Sequence, residues 1–430
     1  MNRQVLKLAI PSIFANITVP LVGMVDVAIA GRLGEAALIG GIAVATMLFD
    51  LLYWNMGFLR VGTSGMIAQA YGRNDFADAM RVFVQGLFTS TAIAMLIWAV
   101  QFIYVDLAFK FIECSPEVEK LAREYYFIRI WAAPATLSLY VFKGFFIGMQ
   151  DTVSPMAVDV TVNVTNLAAS FVFALSAGMG FSGIALGTVV AQYVGLALSI
   201  AFMLLKYGHM LKYINLRDSI DFGSIKKFFV LNSNLFIRSV GLLFIYTGFT
   251  SLSAQYGDVL LAVCTIMMKL MMLFSYFVDG FAYAAEAVAG KYIGAGDRPM
   301  LVKVVKVIFL WSIGIGIVST FVYLFGGEHM VRMMTDNAEV IESSRGFLFW
   351  LLVMPVVSCA AFTWDGVFIG ATASRAIRNS MLYAVAAFYL CYFALNQYIG
   401  VQALWVGYMA HLLARTIYLS IIAKKEVFSF

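Results

Sequence analysis

Apolar runs of 18 residues or more recur down this 430-residue chain, separated only by short polar breaks. Each crossing of a bilayer needs about 20 apolar residues in a helix that satisfies its own backbone hydrogen bonds. The runs therefore specify an all-α polytopic membrane protein. Composition agrees, since charged residues are 12% of the chain, roughly half the ~25% of a soluble domain. The first apolar stretch, Val5 to Ala30, exceeds the ~7–15 residue core of a signal peptide and carries Asp26, so it reads as the first membrane helix.

Turn signals and charged stretches divide the chain into twelve transmembrane helices, near 7–33, 36–71, 80–107, 117–148, 154–178, 181–206, 222–256, 258–292, 300–326, 337–370, 377–398 and 400–423. One long polar connection lies at the midpoint. It predicts an amino-terminal six-helix lobe over 1–206, a cytoplasmic linker over 207–221 and a carboxy-terminal six-helix lobe over 222–430.

The lobes read as pseudo-symmetric copies. Tyr71-Gly72-Arg73-Asn74-Asp75 matches Ile293-Gly294-Ala295-Gly296-Asp297, and Lys143-Gly144 through Gly148 matches Asp365-Gly366 through Gly370, both at an offset of 222. Pro134 and Pro355 follow at 221, and Gly180 and Gly400 at 220. Order and near-constant offset make this an internal repeat. An even number of helices per copy gives both copies the same orientation, as in parallel-repeat transporters. With the amino terminus in the cytoplasm, 17 Lys and Arg fall inside, 6 outside and 6 within apolar segments. The positive-inside rule thus places both termini in the cytoplasm, which in a bacterium makes this an inner-membrane protein.

Several chemistries are poorly supported. The net charge of +5 is too diffuse for a nucleic-acid surface, and four scattered cysteines and three histidines give no metal spacing. No nucleophile elbow, P-loop or dinucleotide fingerprint occurs, so neither an enzyme nor an ATP motor is expected, and no cofactor. Energy must come from an ion gradient or from the substrate's own.

Ionisable groups inside hydrocarbon are functional candidates by default, although some serve only to pair with one another. Asp26 stands out, because Pro11 and Pro20 precede it on the first helix and bend the chain as a gate would need. At ~1.5 Å per residue it sits about 28 Å from the cytoplasmic start. On the fifth helix Asp159, Asn163, Asn166 and Ser170 follow spacings of four, three and four and share one face, with Thr188 at overlapping depth on the sixth. This stripe reads either as interhelical hydrogen bonding or as a cation-coupling site. In the second lobe Arg238, Asp279, Glu286 and Asp365 could form a charge network, either a locked bridge or a second proton site; Asp50, Arg60, Arg129 and Lys143 could form its counterpart. Twenty-three Met and thirty-seven Phe suit an adaptable cavity for apolar cations, though they equally suit a lipid-facing surface.

The chain resembles the multidrug and toxic compound extrusion (MATE) family, on the branch related to the bacterial DNA-damage-inducible protein. The resemblance rests on Pro11 with Asp26, Gly31-Arg32-Leu33-Gly34, Ala68-Gln69-Ala70-Tyr71-Gly72, Gly148-Met149-Gln150-Asp151-Thr152 with Pro155, and Asp279-Gly280-Phe281 through Glu286 to Asp297. It implies two lobes around a central cleft and efflux of organic, often cationic compounds in exchange for protons or sodium. Carried over by position, Asp26 supplies the coupling carboxylate, Asn166 the fifth-helix amide and Thr188 the sixth-helix hydroxyl. Where the family usually has an Asp four residues after the Asn, this chain has Ser170. Loss of that charge favours a proton over sodium near Asp26, because a hard cation wants several oxygens including carboxylates.

The expected protein is therefore a monomeric proton-coupled antiporter for a small organic substrate, with membrane lipid as its surroundings and no nucleic-acid partner. The alternatives are a flippase for lipid-linked oligosaccharides or anionic metabolites, its cleft lined by Arg60, Arg129, Arg238 and Lys269, and a non-transporting membrane sensor or scaffold.

Overall fold

The computed structural model describes the backbone of residues 1–32, 36–112, 114–215, 219 and 222–429, and side chains throughout these except at 19–32, 36, 39, 222, 224 and 225. Pro20 and Asp26 thus lie outside the described side chains, as do linker residues 216–218, 220 and 221. Among the described residues every regular element is helical. Helix α1 is Asn2–Arg32. Eleven more are long and apolar enough to span a membrane: α2 Gly40–Gly72, α3 Phe76–Ala108, α4 Pro116–Gly148, α5 Val153–Ser176, α6 Gly180–Tyr213, α7 Lys226–Tyr256, α8 Asp258–Gly294, α9 Arg298–Met334, α10 Ala338–Gly370, α11 Ser374–Ile399 and α12 Gln402–Glu426.

The largest departure from the expected boundaries is α9, which continues eight residues past position 326. Gly326-Gly327 reads as a helix stop, yet the helix continues through both glycines, with Gly327 at ordinary contact distance from Leu348 and Leu351 on α10.

Backbone geometry repeats with the sequence. Asn74 and Gly296 hold φ of 56° and 68°, Gln150 and Thr372 hold 64° and 54°, and Gly180 and Gly400 hold 58° and 56°. These are the pairs set by the offsets of 222, 222 and 220. In each of the first two pairs the left-handed residue follows a helix end closed by matching hydrogen bonds: Asn74 N to Tyr71 O and Gly296 N to Ile293 O, both at 3.1 Å, in one, and Asp151 N to Phe146 O at 2.8 Å and Ala373 N to Phe368 O at 3.0 Å in the other. The next helix then starts alike, with Asp75 Oδ1 accepting from Asp78 N and Asp297 Oδ1 from Met300 N.

Two compact units result, one of Met1–Asn16, Ala68–Asn74 and Val230–Phe430, the other of Ile17–Ile67 and Asp75–Phe229. In the second of these α4 packs on α2, α3 and α6; in the first, α10 packs on α8, α9 and α12. Glycines set both centres. A Cβ at Gly144 would meet Arg60 O at 2.6 Å and one at Gly148 would meet Ser64 O at 2.9 Å; at Gly366 and Gly370 the corresponding atoms are Ala282 O at 2.2 Å and Glu286 O at 2.5 Å. Lipid tails are as apolar as leucine, so close backbone approach and van der Waals contact, rather than burial from water, hold such helices together. The outer faces stay apolar: α3 alone exposes Phe88, Met95, Leu96, Phe102 and Ile103.

Candidate functional site

Pro134 cannot donate a backbone hydrogen bond, and α4 breaks just before it in a 3-10 turn over Ile130–Ala132. The carbonyls freed by the break find other donors. Trp98 Nε1 bonds Ile130 O at 3.0 Å and Tyr193 Oη bonds Trp131 O at 3.0 Å. The break turns Arg129, Ala132, Thr136, Leu139, Tyr140 and Lys143 toward one cavity of about 610 Å³ within the Ile17–Ile67 and Asp75–Phe229 unit.

Its other walls come from α2, with Thr46, Asp50 and Tyr53, from α5, with Asp159, Val162 and Asn163, and from α6, with Thr188 and Gln192. Lys143 and Asp159 form an ion pair across it. Arg129 is held over the Phe49 ring at 4.6 Å and the Tyr125 ring at 5.8 Å, contacts that support a cation. Asp50 is exposed to the cavity with no cation within 4.0 Å among the described residues. Among the described residues the lining carries two carboxylates and two cations, so protonating either acid leaves these four groups with an excess positive charge.

The polar stripe of α5 divides by depth. Asp159 and Asn163 line the cavity, and Asn163 Nδ2 donates to Thr18 Oγ1 at 2.7 Å. Asn166 Nδ2 donates to Thr188 Oγ1 at 2.9 Å, while its Oδ1 is buried with no hydrogen-bond partner. Ser170 donates to Ile184 O at 3.3 Å, directly beside Gly187, where a Cβ would meet Ser170 backbone N at 2.5 Å. Ser170 thus holds α5 against α6, and the cavity does not include it. Pro11 lies on α1 in the other unit, half-buried.

In the Val230–Phe430 unit Asp365 is buried between two arginines. Arg238 Nη2 reaches its Oδ2 at 2.7 Å, and Arg415 bonds the same oxygen. Asp279 and Glu286 stand on α8, Glu286 buried. Of the four residues expected to cluster, Arg238 and Asp365 are joined directly; Arg415 completes the triad, although no local pattern on α12 distinguishes it from the other five cations in apolar segments. Similarly, Asp50, Arg129 and Lys143 gain importance from the cavity, and Asp159 was the only charge on its wall that helical spacing could find.

A repeated set of membrane-spanning helices with a charged cavity within one compact unit is the architecture of a membrane transporter. Comparison with known proteins agrees. A family profile described as MatE matches residues 11–172 and 235–397, one copy in each repeat. The chain belongs to this MatE family, whose members are multi-pass membrane transporters rather than enzymes. It is 33% identical over 431 residues to the DNA damage-inducible protein F of Escherichia coli, covering 99% of this chain and 92% of the relative. It is 21% identical to the probable multidrug resistance protein NorM of Thermotoga maritima, covering 80% and 75%. The crystal structure of the Vibrio cholerae MATE transporter VcmN in the bent form matches with a TM-score of 0.87 at 16% identity, covering 100% of this chain and 97% of that one. At that identity the likeness is one of fold.

Proposed function

We propose that this protein is a secondary antiporter that exports organic, often cationic compounds in exchange for protons by alternating access, with both termini in the cytoplasm of a bacterial inner membrane. The observation that carries this reading is the charged cavity, in which Asp50 faces open space while Asp159 is already neutralised by Lys143. A carboxylate without a fixed partner can hold an organic cation or a proton, and binding one weakens binding of the other. That mutual exclusion is the physical content of exchange. Asp26, nominated by sequence alone, is the second carboxylate in this role. The Asn166 and Thr188 pair supports α5 against α6 beside the cavity, and Ser170, in place of a carboxylate, disfavours sodium.

Dye-cation flux in proteoliposomes under an imposed pH or sodium gradient tests the reading, with native protein compared against Asp26→Asn and Asp50→Asn. Flux driven by the pH gradient and lost in either variant supports proton exchange. Flux driven by sodium alone overturns the choice of ion. If neither gradient moves the dye, the basic groups Arg129 and Lys143 make transport of an anionic or lipid-linked substrate the reading to test next.

A further inference from the structure

A second concavity, unrelated to the charged cavity, opens on the surface of the Val230–Phe430 unit. It is a groove of about 720 Å³ between α9, α10 and α12. Its floor is apolar, formed by Val305, Phe309, Ile313, Ala360 and Trp364. The floor is also held in shape. Trp364 Nε1 donates to Ser420 Oγ at 2.8 Å, and the Trp364 and Phe309 rings meet edge to face at 4.9 Å. Three cations line the same groove, Arg298 and Lys424 at one end and Lys306 further along α9, and none has a carboxylate within 4.0 Å among the described residues.

We propose that this groove is a binding site for one anionic glycerophospholipid, with an acyl chain along Phe309, Ile313 and Trp364 and the phosphodiester against Arg298, Lys306 and Lys424. The placement follows the geometry of a leaflet. Arg298 opens α9, Lys424 lies two residues before the end of α12, and Trp364 lies six residues before the end of α10, so all three helix termini converge at the polar end. From there the groove runs inward past Lys306 to Ile313, fifteen residues into α9, or ~22 Å at the rise of an α-helix. That is the depth of one leaflet of a ~40–45 Å bilayer. Lys306, eight residues into α9 and so about half way in, can reach back toward the head group because its stem is apolar and its amine polar. Basic pockets between membrane helices hold anionic head groups in this manner, and a zwitterionic lipid would leave its own amine facing the three cations.

The test uses full-length protein in nanodiscs of 95% phosphatidylethanolamine and 5% phosphatidylglycerol, followed by release into mild detergent and native mass spectrometry of retained lipid. The expected result is one phosphatidylglycerol per chain, with retention falling at least five-fold in the R298Q, K306Q and K424Q triple variant. A control that removes equal charge on other exposed basic residues, K303Q, R375Q and K425Q, should retain lipid like the native chain. Single K306Q, expected to fold normally on an exposed site, should lower retention by itself. Equal retention in the triple variant and the control would overturn the site, as would phosphatidylethanolamine held as well as phosphatidylglycerol. Retained transport substrate or dimeric chain in place of lipid would also overturn it.

Discussion

Lys143 and Asp365 occupy equivalent positions in the two repeats, each immediately before the first glycine of a Gly-x-x-x-Gly pair, and they carry opposite charges. Each finds its partner on a different helix of its own unit: Lys143 pairs with Asp159 on α5, Asp365 with Arg238 on α7 and Arg415 on α12. The packing of the repeat has been kept while its electrostatics have been reversed. One member is half-open to a cavity and the other is locked.

That difference predicts unequal responses to substitution. Replacing Lys143 by Met leaves Asp159 unpaired, yet both side chains retain about a fifth of their exposure, at 23% and 19%. The expected loss is therefore about 1–3 kcal/mol, below the ~3–5 kcal/mol of breaking a fully buried pair. A K143D and D159K double variant should recover most of it in a fluorescence melting assay. Failure of the swap to recover any stability would show that the pair is not the relevant interaction.

Asp365→Leu should be more damaging, because it strands two guanidinium groups, one with a side chain only 2% exposed. A loss of about 3–5 kcal/mol is expected. Arg238→Met should cost less, since Arg415 still neutralises Asp365. Equal melting temperatures for the two variants would contradict the shared-carboxylate arrangement.

The glycine pairs predict a packing defect in both repeats. Gly144→Ala and Gly366→Ala each place a methyl within 2.6 Å of a backbone carbonyl on the neighbouring helix, so the helices must move apart. Each should destabilise by about 1–3 kcal/mol. Gly314→Ala, with nothing within 4 Å of its Cβ, should instead gain up to ~1 kcal/mol from helix propensity. Thermal melts of the three variants in one detergent would separate these effects.

A pH dependence comes from the turn between α4 and α5. Burial pushes the Asp151 carboxyl up, but hydrogen bonds from Ser154 and from Lys206 outweigh it and hold the acid below its usual value of 3.8. A depressed folded value means the contribution is complete above the unfolded pKa and disappears as pH falls through the folded one. Asp151→Asn should therefore lower stability by about 1–2 kcal/mol at pH 7. The gap between variant and native protein should narrow progressively below about pH 4. A constant gap from pH 7 to pH 3 would mean the acid contributes through shape rather than charge.

Much of this was legible in the chain. The twelve helices follow from apolar length, and the repeat follows from glycine and turn residues whose offset of 222 the left-handed backbone at Asn74, Gly296, Gln150 and Thr372 reproduces. Asp159 and Asn163 share a helix face that spacing alone identifies. Asp50 and Arg129 were harder, because which side of α2 and α4 faces inward depends on 3-10 breaks at Asn55–Gly57 and Ile130–Ala132 that shift the helical phase. Arg415 had no signal beyond its place in an apolar segment; its partner is fifty residues away, and only packing of α12 on α10 brings them together. Membership of the family was visible in ordered motifs, whereas the site's charge balance required three dimensions.

The indole of Trp98 and the phenol of Tyr193 give the broken carbonyls of α4 permanent partners. A bend satisfied in this way needs no ligand to create it and no water to maintain it. The direction in which Arg129 and Lys143 face is thus set by the fold's own side chains, before anything enters the cavity.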